Sequence, residues 1–438
     1  MGSSLLARAL SRASFSAAFS DQALVRAMLA FESALAASQA AAGVIPREAA
    51  ESIEAACRTL NLSADKLAED GKSAGSLAIP LVKALTEQVR VSDPKAASFV
   101  HFGSTSQDVL DTASVLCMVP CMHEADRVLA TSVMQLAAHA RRNASVVMLG
   151  RTMMQPAVPI TAGIKIARWA AALSRCRSRL TEARARAFCV QMGGPVGTFD
   201  ALGSRRMQVR QGVAERLGLG DSRPWHSHRD ELLSFAAALA ILIATVGKIA
   251  RDVALLSQAE VGEMLESEPK KGVGTSSAMP HKRNPVACLQ ALAAAARAPG
   301  LMTTLLHAGH EHERALGGWQ AELATLADLV ETAGGALDAL ERISAGLVVN
   351  PERMRRNLEA LQGLVFSERL SRLLMQTMDR DAAQSQVDDW CASAVSRSLN
   401  LKAVVAEGRG DLDLDEVFSL DAIVRDLAPV LDEELAAL

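Results

Sequence analysis

The residues best suited to chemistry lie in one short stretch, residues 274–285, which reads Gly-Thr-Ser-Ser-Ala-Met-Pro-His-Lys-Arg-Asn-Pro. Two serine hydroxyls, an ammonium group and a carboxamide stand there directly before an apolar helical pattern. Asn284 is a suitable N-cap and Pro285 suits the first helical turn, so we predict that a helix begins at Val286. Unoccupied N–H groups at such a helix start, together with the ammonium group of Lys282, favour an anion such as a carboxylate. A capped helix that follows an ordinary surface loop is the alternative interpretation.

Two other segments carry polar residues in patterns that suit the same chemistry. Residues 101–112 read His-Phe-Gly-Ser-Thr-Ser-Gln-Asp-Val-Leu-Asp-Thr, and residues 150–157 read Gly-Arg-Thr-Met-Met-Gln-Pro-Ala. Each is weak by itself, because a Thr-Ser-x-Asp pattern is also a common helix start. Residues 191–198, Gln-Met-Gly-Gly-Pro-Val-Gly-Thr, add a glycine-rich turn downstream.

In chain order these segments resemble the signatures of the fumarase/aspartase superfamily, and so many specified positions in the serine-bearing loop rarely coincide by chance. The resemblance implies that Thr105 and Ser106 bind a substrate carboxylate. It also implies that Ser276 and Lys282 are catalytic. The serine would exchange a proton with a substrate carbon, and Lys282, with Asn284, would stabilise the negative charge of the intermediate. The further substrate contacts that it implies are Gln155, Ser277, His281 and Arg314.

Some of these residues also have a structural interpretation. Ser277 is more readily explained as a structural loop hydroxyl, and the sequence does not separate substrate binding from charge neutralisation at His281. His101 is equally compatible with a structural and a substrate-facing role. An unassisted hydroxyl is a poor base, so Ser276 needs Lys282 and helix N–H groups nearby to stabilise its alkoxide.

Met153 marks a departure from the lyases of this superfamily, in which a His follows Thr152 and assists protonation of the leaving amine or hydroxyl. A thioether can neither donate nor accept a proton in that role. A carboxylate needs no such proton to leave, because its conjugate acid has a pKa of about 4. The resemblance therefore implies the cycloisomerase branch, whose members lack this His and close the tricarboxylate 3-carboxy-cis,cis-muconate to a lactone in protocatechuate catabolism. We expect Met153 to form part of an apolar wall.

Four further stretches, residues 75–85, 224–230, 311–319 and 354–365, also resemble this branch. Adenylosuccinate lyases carry a phosphate-binding Arg where this chain has Leu323, which speaks against a nucleotide substrate.

Three alternatives stay open at this point. A cycloisomerase that acts on a sulfo-substituted muconate would need the same anion-binding groups, and pocket shape would decide between the two substrates. A superfamily lyase acting at C–N or C–O bonds is disfavoured by Met153. A catalytically silent structural homologue is disfavoured by the retained Ser276, Lys282 and Asn284.

Composition predicts a helical protein. Aromatic residues make up only 3% of the chain, Tyr is absent, and the abundant Ala allows helices to approach closely. No alternating pattern persists long enough for a substantial sheet. We predict an all-α fold with the superfamily's three-domain plan: an N-terminal helical domain at 1–112, a central bundle of long helices at 113–363 and a C-terminal helical domain at 364–438.

The charge and apolar patterns constrain the partners. A net charge of −3 provides no electrostatic case for nucleic acid or an anionic membrane. The apolar run 234–247 is shorter than the roughly 20 residues that a bilayer requires, which favours the interior of a helix bundle. The resemblance implies a homotetramer in which three subunits contribute to each active site, and apolar central helices require such burial. The first twenty residues imitate a transit peptide, but their amphipathic pattern continues into the domain, so we predict a cytoplasmic protein.

The seven Cys residues are odd in number and scattered, which indicates reduced, buried thiols. Two groups suggest a metal site by composition: Cys117, Cys121 and His123, and His307, His310 and His312. Neither has a second ligand pair at zinc-finger spacing, so we predict neither a metal nor another cofactor.

Overall fold

A computed structural model describes residues 5–267, 274, 279 and 281–438, and most of these residues are helical, which confirms the all-α class. The α-helices are, in chain order, α1 (Leu5–Arg8), α2 (Ala13–Ala18), α3 (Asp21–Ala41), α4 (Arg47–Thr59), α5 (Ala64–Ala74), α6 (Ala78–Ser92), α7 (Ser106–Arg142), α8 (Ala162–Ala187), α9 (Arg206–Leu217), α10 (Asp230–Leu256), α11 (Val286–His307), α12 (Gly318–Gly346), α13 (Pro351–Glu359), α14 (Ser367–Leu374), α15 (Arg380–Arg397), α16 (Leu401–Gly408), α17 (Leu414–Val417) and α18 (Leu420–Ala436). The described strands form two short antiparallel pairs, β1 (Val147–Thr152) with β2 (Gln155–Thr161) and β3 (Met264–Leu265) with β4 (Val348–Val349).

Local sequence signals account for the ends of the first helices. Ser20 caps α3 by accepting a hydrogen bond from the N–H of Ala23. At the C-terminal end of α5, Gly75 takes a φ of 73°, a left-handed conformation that a residue without a Cβ adopts readily. Residues 42–46 separate α3 from α4, and residues 75–77 separate α5 from α6.

A β-hairpin occupies residues 147–161, although the sequence shows no alternating pattern long enough for a substantial sheet. Thr152 pairs with Gln155, so Met153 and Met154 form a two-residue turn. Both take positive φ, 48° and 67°. Such turns favour Asn and Gly, and a residue with a larger side chain costs roughly 1 kcal/mol or more there. The turn that carries Met153 is thus held in a conformation that its own sequence disfavours.

Contacts divide the chain into two compact units, of which the first comprises Met1–Val128, Cys176–Val246 and Gln290–Asp338. Its apolar core is built mainly on α3, α4, α6, α9 and the beginning of α7. The large side chains that are fully buried there include Met28, Phe31, Leu35, Leu81 and Leu85. Met28, Phe31 and Leu35 form one apolar stripe along α3, and Leu81 and Leu85 belong to α6.

The second unit comprises Leu129–Arg175, Gly247–Leu289 and Ala339–Leu438. One of its apolar clusters packs the β1–β2 hairpin against α13 and α18, and another joins α14, α15, α16 and α17. The predicted boundary at 112/113 lies inside α7, while that at 363/364 falls at a left-handed glycine between α13 and α14. The three-domain plan stays a prediction.

Two of the described helices, α10 and α11, are long and apolar enough to cross a membrane by length and composition alone. More than half of the apolar window in α10 and a third of that in α11 are buried within the chain, and the core helix of a soluble protein meets the same criteria. Large apolar side chains are nevertheless exposed on both helices, at Ile241, Leu289 and Leu306. These surfaces are available to another molecule.

Candidate active site

A buried carboxylate, Asp108, organises the segment that carries Thr105. It accepts hydrogen bonds from the N–H groups of Thr105 at 3.1 Å and of Gly193 and Gly194 at 3.0 Å each. Nε2 of His226 lies 2.8 Å from Oδ1 of the same carboxylate. Gly193 must lack a side chain, because a Cβ there would come within 2.7 Å of the His226 ring. The glycine-rich turn therefore serves to bring two amides onto Asp108.

A second buried carboxylate in the same stretch, Asp111, pairs with Arg229. The two guanidinium N–H groups reach its oxygens at 2.7 and 3.0 Å, and the indole N–H of Trp319 donates to it at 2.9 Å. The other edge of the guanidinium donates to Glu322, with Nε 2.9 Å from Oε1. Burial opposes the charge of Arg229, but the Asp111 and Glu322 carboxylates outweigh it and raise its pKa. These buried partners hold the beginning of α7 rigidly in place.

The predicted carboxylate-binding residues stand on this framework. Nη1 of Arg314 donates to Oγ1 of Thr105 at 2.7 Å, so two residues that are 209 positions apart in sequence come into contact. Ser106, the first residue of α7, is half-buried beside them. A hydroxyl, a helix start and a guanidinium together can bind a carboxylate.

A residue that sequence reasoning missed, Glu32, stands behind His101. Its Oε1 lies 2.6 Å from Nδ1 of His101, and only 1% of Glu32 is exposed. Burial lowers the pKa of His101, but the charge of Glu32 and its hydrogen bond, with a contribution from Asp108, raise it above its ordinary value overall. The available signal was a lone carboxylate on the apolar stripe of α3, beside Met28 and Phe31.

In the second unit, the hairpin that carries Met153 is anchored close to its turn by Arg151. Its guanidinium donates to both oxygens of Glu263, at 2.8 and 2.6 Å, and Asn357 donates to Oε1 at 2.7 Å. Glu263 is completely buried, whereas Met153 is 98% exposed and Gln155 is also exposed. An apolar wall at Met153 therefore requires a surface from another molecule.

The loop with the strongest sequence signal is described only in part, since Ser276 and Ser277 lie outside the described residues. His281, Lys282 and Asn284 are exposed. The N–H of Asn284 donates to the carbonyl of Gly274 at 2.7 Å.

The helix after this loop begins at Val286 as predicted, but its start differs from the prediction in two respects. Pro285, rather than Asn284, occupies the N-cap position. The N–H groups of Ala287 and Cys288 are not available to a ligand, because both donate to the carboxylate of Glu266. The prediction that these helix-terminal amides would bind a substrate anion is wrong for these two amides. The side chains of Lys282 and Asn284 still offer donors just before the helix.

The cysteines of the first candidate metal group are buried. Burial raises the pKa of Cys117 to about 11 and that of Cys121 to about 12. A cysteine binds a metal as the thiolate, so these raised pKa values oppose metal binding by the two thiols. In the part of the chain that the structure describes, no group of three or more His, Cys, Asp or Glu is arranged to hold a metal ion. All seven cysteines are free, six buried and Cys391 partly exposed.

Comparison with known proteins identifies clear relatives. A family model described as lyase matches residues 10–300. A 3-carboxy-cis,cis-muconate cycloisomerase from Pseudomonas putida is 42% identical over 391 residues, which cover 89% of this chain and 92% of the relative. An enzyme of the same name from Pseudomonas aeruginosa is 44% identical over 393 residues, 89% of this chain and 85% of the relative. The crystal structure of 3-carboxy-cis,cis-muconate lactonizing enzyme from Pseudomonas putida has a TM-score of 0.91 at 37% identity, covering 99% of this chain and 98% of that chain.

Proposed function

This chain belongs to the lyase family, and we propose on that basis that it closes 3-carboxy-cis,cis-muconate to 4-carboxymuconolactone. The observation that carries the proposal is an identity of 42–44% to cycloisomerases over 89% of the chain. Met153 supports it independently, because the tip of the hairpin offers no proton donor at the position where the superfamily's lyases need one. The reaction belongs to the protocatechuate branch of aromatic catabolism.

The reaction forms one C–O bond and one C–H bond without loss of any atom. A carboxylate oxygen adds to a double bond, and a proton is delivered to the carbon next to another carboxylate. The extra electron pair resides meanwhile in an enediolate-like carboxylate, so donors placed around that group lower the barrier most. We assign this stabilisation to Lys282 and Asn284 and the proton transfer to Ser276.

The remaining carboxylates of the substrate need fixed donors of their own. Thr105, with Arg314 at 2.7 Å, supplies a hydroxyl and a guanidinium on the framework of Asp108. Burial lowers the pKa of His101 and its partner Glu32 raises it overall, so a proton on His101 is balanced by a carboxylate and adds little net charge to this segment. Ser106, Gln155, Ser277 and His281 are the further substrate contacts that we propose.

We further propose a homotetramer in which three subunits build each active site. Support comes from groups that are expected to meet substrate yet stand exposed in a single chain: Met153, Gln155, Lys282 and Asn284. The exposed apolar side chains of α10 and α11 provide surfaces for association. The three-domain plan and a cytoplasmic location belong to the same proposal, and seven free cysteines favour a reducing compartment.

The direct test is ultraviolet absorbance during incubation of the purified protein with 3-carboxy-cis,cis-muconate. Ring closure removes the conjugated diene, so absorbance should fall and the lactone should accumulate in equal amount. Parallel incubations use the 3-sulfo analogue and adenylosuccinate. Preference for the sulfo analogue would show that the substrate is a sulfo-substituted muconate. Release of fumarate from adenylosuccinate would show that the protein is a lyase and not a cycloisomerase. Treatment with a chelator should leave the rate unchanged, because the proposed mechanism needs no metal.

A further inference from the structure

A carboxylate outside the three signature segments, Glu266, connects two parts of the second unit. Its Oε1 accepts the N–H of Ala287 at 3.0 Å, and its Oε2 accepts the N–H of Cys288 at 2.8 Å. These residues lie in the first turn of α11, where N–H groups have no partner within the helix. Glu266 therefore caps α11 from a position 21 residues before Ala287.

The backbone of Glu266 is itself held in place. It follows directly after β3, whose Met264 and Leu265 pair with β4. The end of α12 packs against it, because a Cβ on Gly346 would come within 2.7 Å of the Glu266 carbonyl oxygen. The capping side chain thus extends from a packed backbone.

The stretch between this carboxylate and the helix that it caps is residues 267–286, which contain Ser276 and Lys282. Two contacts hold the C-terminal end of this stretch. Glu266 accepts hydrogen bonds from the first turn of α11, and the N–H of Asn284 donates to the carbonyl of Gly274. These contacts fix the backbone of Asn284 and the first turn of α11, which follow Lys282 directly in the chain.

We propose that Glu266 is a positioning residue for the ring closure, which sets the placement of Lys282 by holding the start of α11, the helix that follows Lys282 directly. The inference rests on the proposed function. Glu266 acts through α11 and not through contact with substrate. The carboxylate of Glu266 already interacts with the positive end of α11, so we expect side-chain donors, and not these helix N–H groups, to bind the substrate carboxylates. Reactions of this kind are sensitive to placement, since an error of about 1 Å can lower a rate on the order of 100-fold.

The test compares three variants of the full-length protein. Glu266→Ala removes both hydrogen bonds, and Glu266→Gln keeps one acceptor oxygen without the charge. The control is Asp379→Ala, since Asp379 caps α15 by accepting from Ala382 N–H at 3.0 Å and that helix carries no candidate catalytic residue. All three lose a carboxylate from a helix start, so the control accounts for a simple loss of helix stability.

We expect Glu266→Ala to lower kcat on the order of 100-fold with little change in KM, and Glu266→Gln to retain an intermediate kcat. Asp379→Ala should keep the wild-type kcat while its melting temperature falls by a similar amount. Equal kcat values in Glu266→Ala and the control would reduce Glu266 to an ordinary cap and overturn the proposal.

A second readout does not depend on the reaction. Amide hydrogen exchange of the peptides that cover residues 279–290 should become faster in Glu266→Ala and stay unchanged in Asp379→Ala. Unchanged exchange in Glu266→Ala would overturn the proposed role in holding the segment. If the wild-type protein does not convert 3-carboxy-cis,cis-muconate while exchange still increases in the variant, the proposed function fails and the structural tie stands.

Discussion

The two units of the chain present their candidate catalytic residues in different ways. In the first unit, the groups around Thr105 rest on the buried carboxylates Asp108 and Asp111, each of which receives several hydrogen bonds. In the second unit, Glu263 is equally buried, but the residues that it helps to present, such as Met153, project into solvent. Folding of one chain therefore completes a carboxylate-binding framework in the first unit. In the second unit, folding of one chain places the buried partners, such as Glu263, but leaves Met153 exposed.

This difference agrees with the chemistry assigned to each region. Binding of a carboxylate needs fixed donors, and buried ion pairs provide them at the cost of desolvation. Proton transfer and charge stabilisation need exclusion of water, which the exposed Lys282 and Asn284 lack in a single chain. An assembly that covers these residues would supply it, as the proposed tetramer does.

The largest expected effect is on stability and compares, in each unit, the arginine that pairs with a buried carboxylate. Arg229→Leu leaves Asp111 and Glu322 buried without their partner, and we expect unfolding free energy to fall by about 3–5 kcal/mol. Arg151→Leu should cost less, because the Arg151 side chain is 27% exposed and water can reach the remaining carboxylate more easily.

Denaturant unfolding of both variants measures this comparison, with Arg397→Leu as the control for an exposed pair with Glu407. The control should match the wild-type midpoint. A larger loss of unfolding free energy in Arg151→Leu than in Arg229→Leu would contradict the view that the buried carboxylates of the first unit depend more strongly on their arginine.

The next effect is on turnover. Ser276→Ala should lower kcat by at least about two orders of magnitude, the scale of one positioned proton-transfer group. Steady-state kinetics with 3-carboxy-cis,cis-muconate measures it, and size-exclusion chromatography checks that the assembly persists. Near-normal turnover would remove Ser276 from the acid–base role.

A smaller effect is expected at the tip of the hairpin. Met153→His restores the residue that lyases of the superfamily use, yet it should not accelerate ring closure, because a carboxylate attacks in its unprotonated form and leaves in that form in the reverse direction. We expect a slower reaction, because the activation free energy should rise by about 1–3 kcal/mol if the ring nitrogens stay unpaired in the assembled site. Profiles of kcat and kcat/KM between about pH 6 and 9 test it. A higher kcat with an added ionisation would show that acid catalysis limits the rate.

The smallest effect concerns pH and the His101–Glu32 pair. Because the pKa of His101 is raised in the folded state above its ordinary value of 6.5, its contribution to stability is fully present below pH 6.5. That contribution is lost as the pH rises through the folded-state pKa. In Glu32→Gln only burial and the more distant Asp108 remain, so this decline should disappear. Thermal unfolding from below pH 6.5 upward measures the difference, and parallel curves for the two proteins would exclude a charged pair.

Much of the framework could be predicted from local sequence. The start of α11 at Val286 and the end of α5 at Gly75 follow from caps, glycine and apolar spacing over a few residues. The β1–β2 hairpin could not be predicted, because its turn uses Met153 and Met154 where positive φ normally selects Asn or Gly. The cap of α11 was misassigned for a different reason: the carboxylate that serves it, Glu266, lies outside the local sequence window.

The sequence by itself determined the helical class, the three segments that we propose to carry the chemistry and the absence of a His at position 153. These depend on residue type and short spacing, which are present in the chain before it folds. Only the tertiary structure decided which side chains meet: Arg314 with Thr105, Glu32 with His101, and Glu263 with Arg151. Each of these contacts joins residues more than sixty positions apart, and no local preference specifies such a pairing. Burial of the whole core brings these residues together, and the cost of an unpaired buried charge then selects the partner.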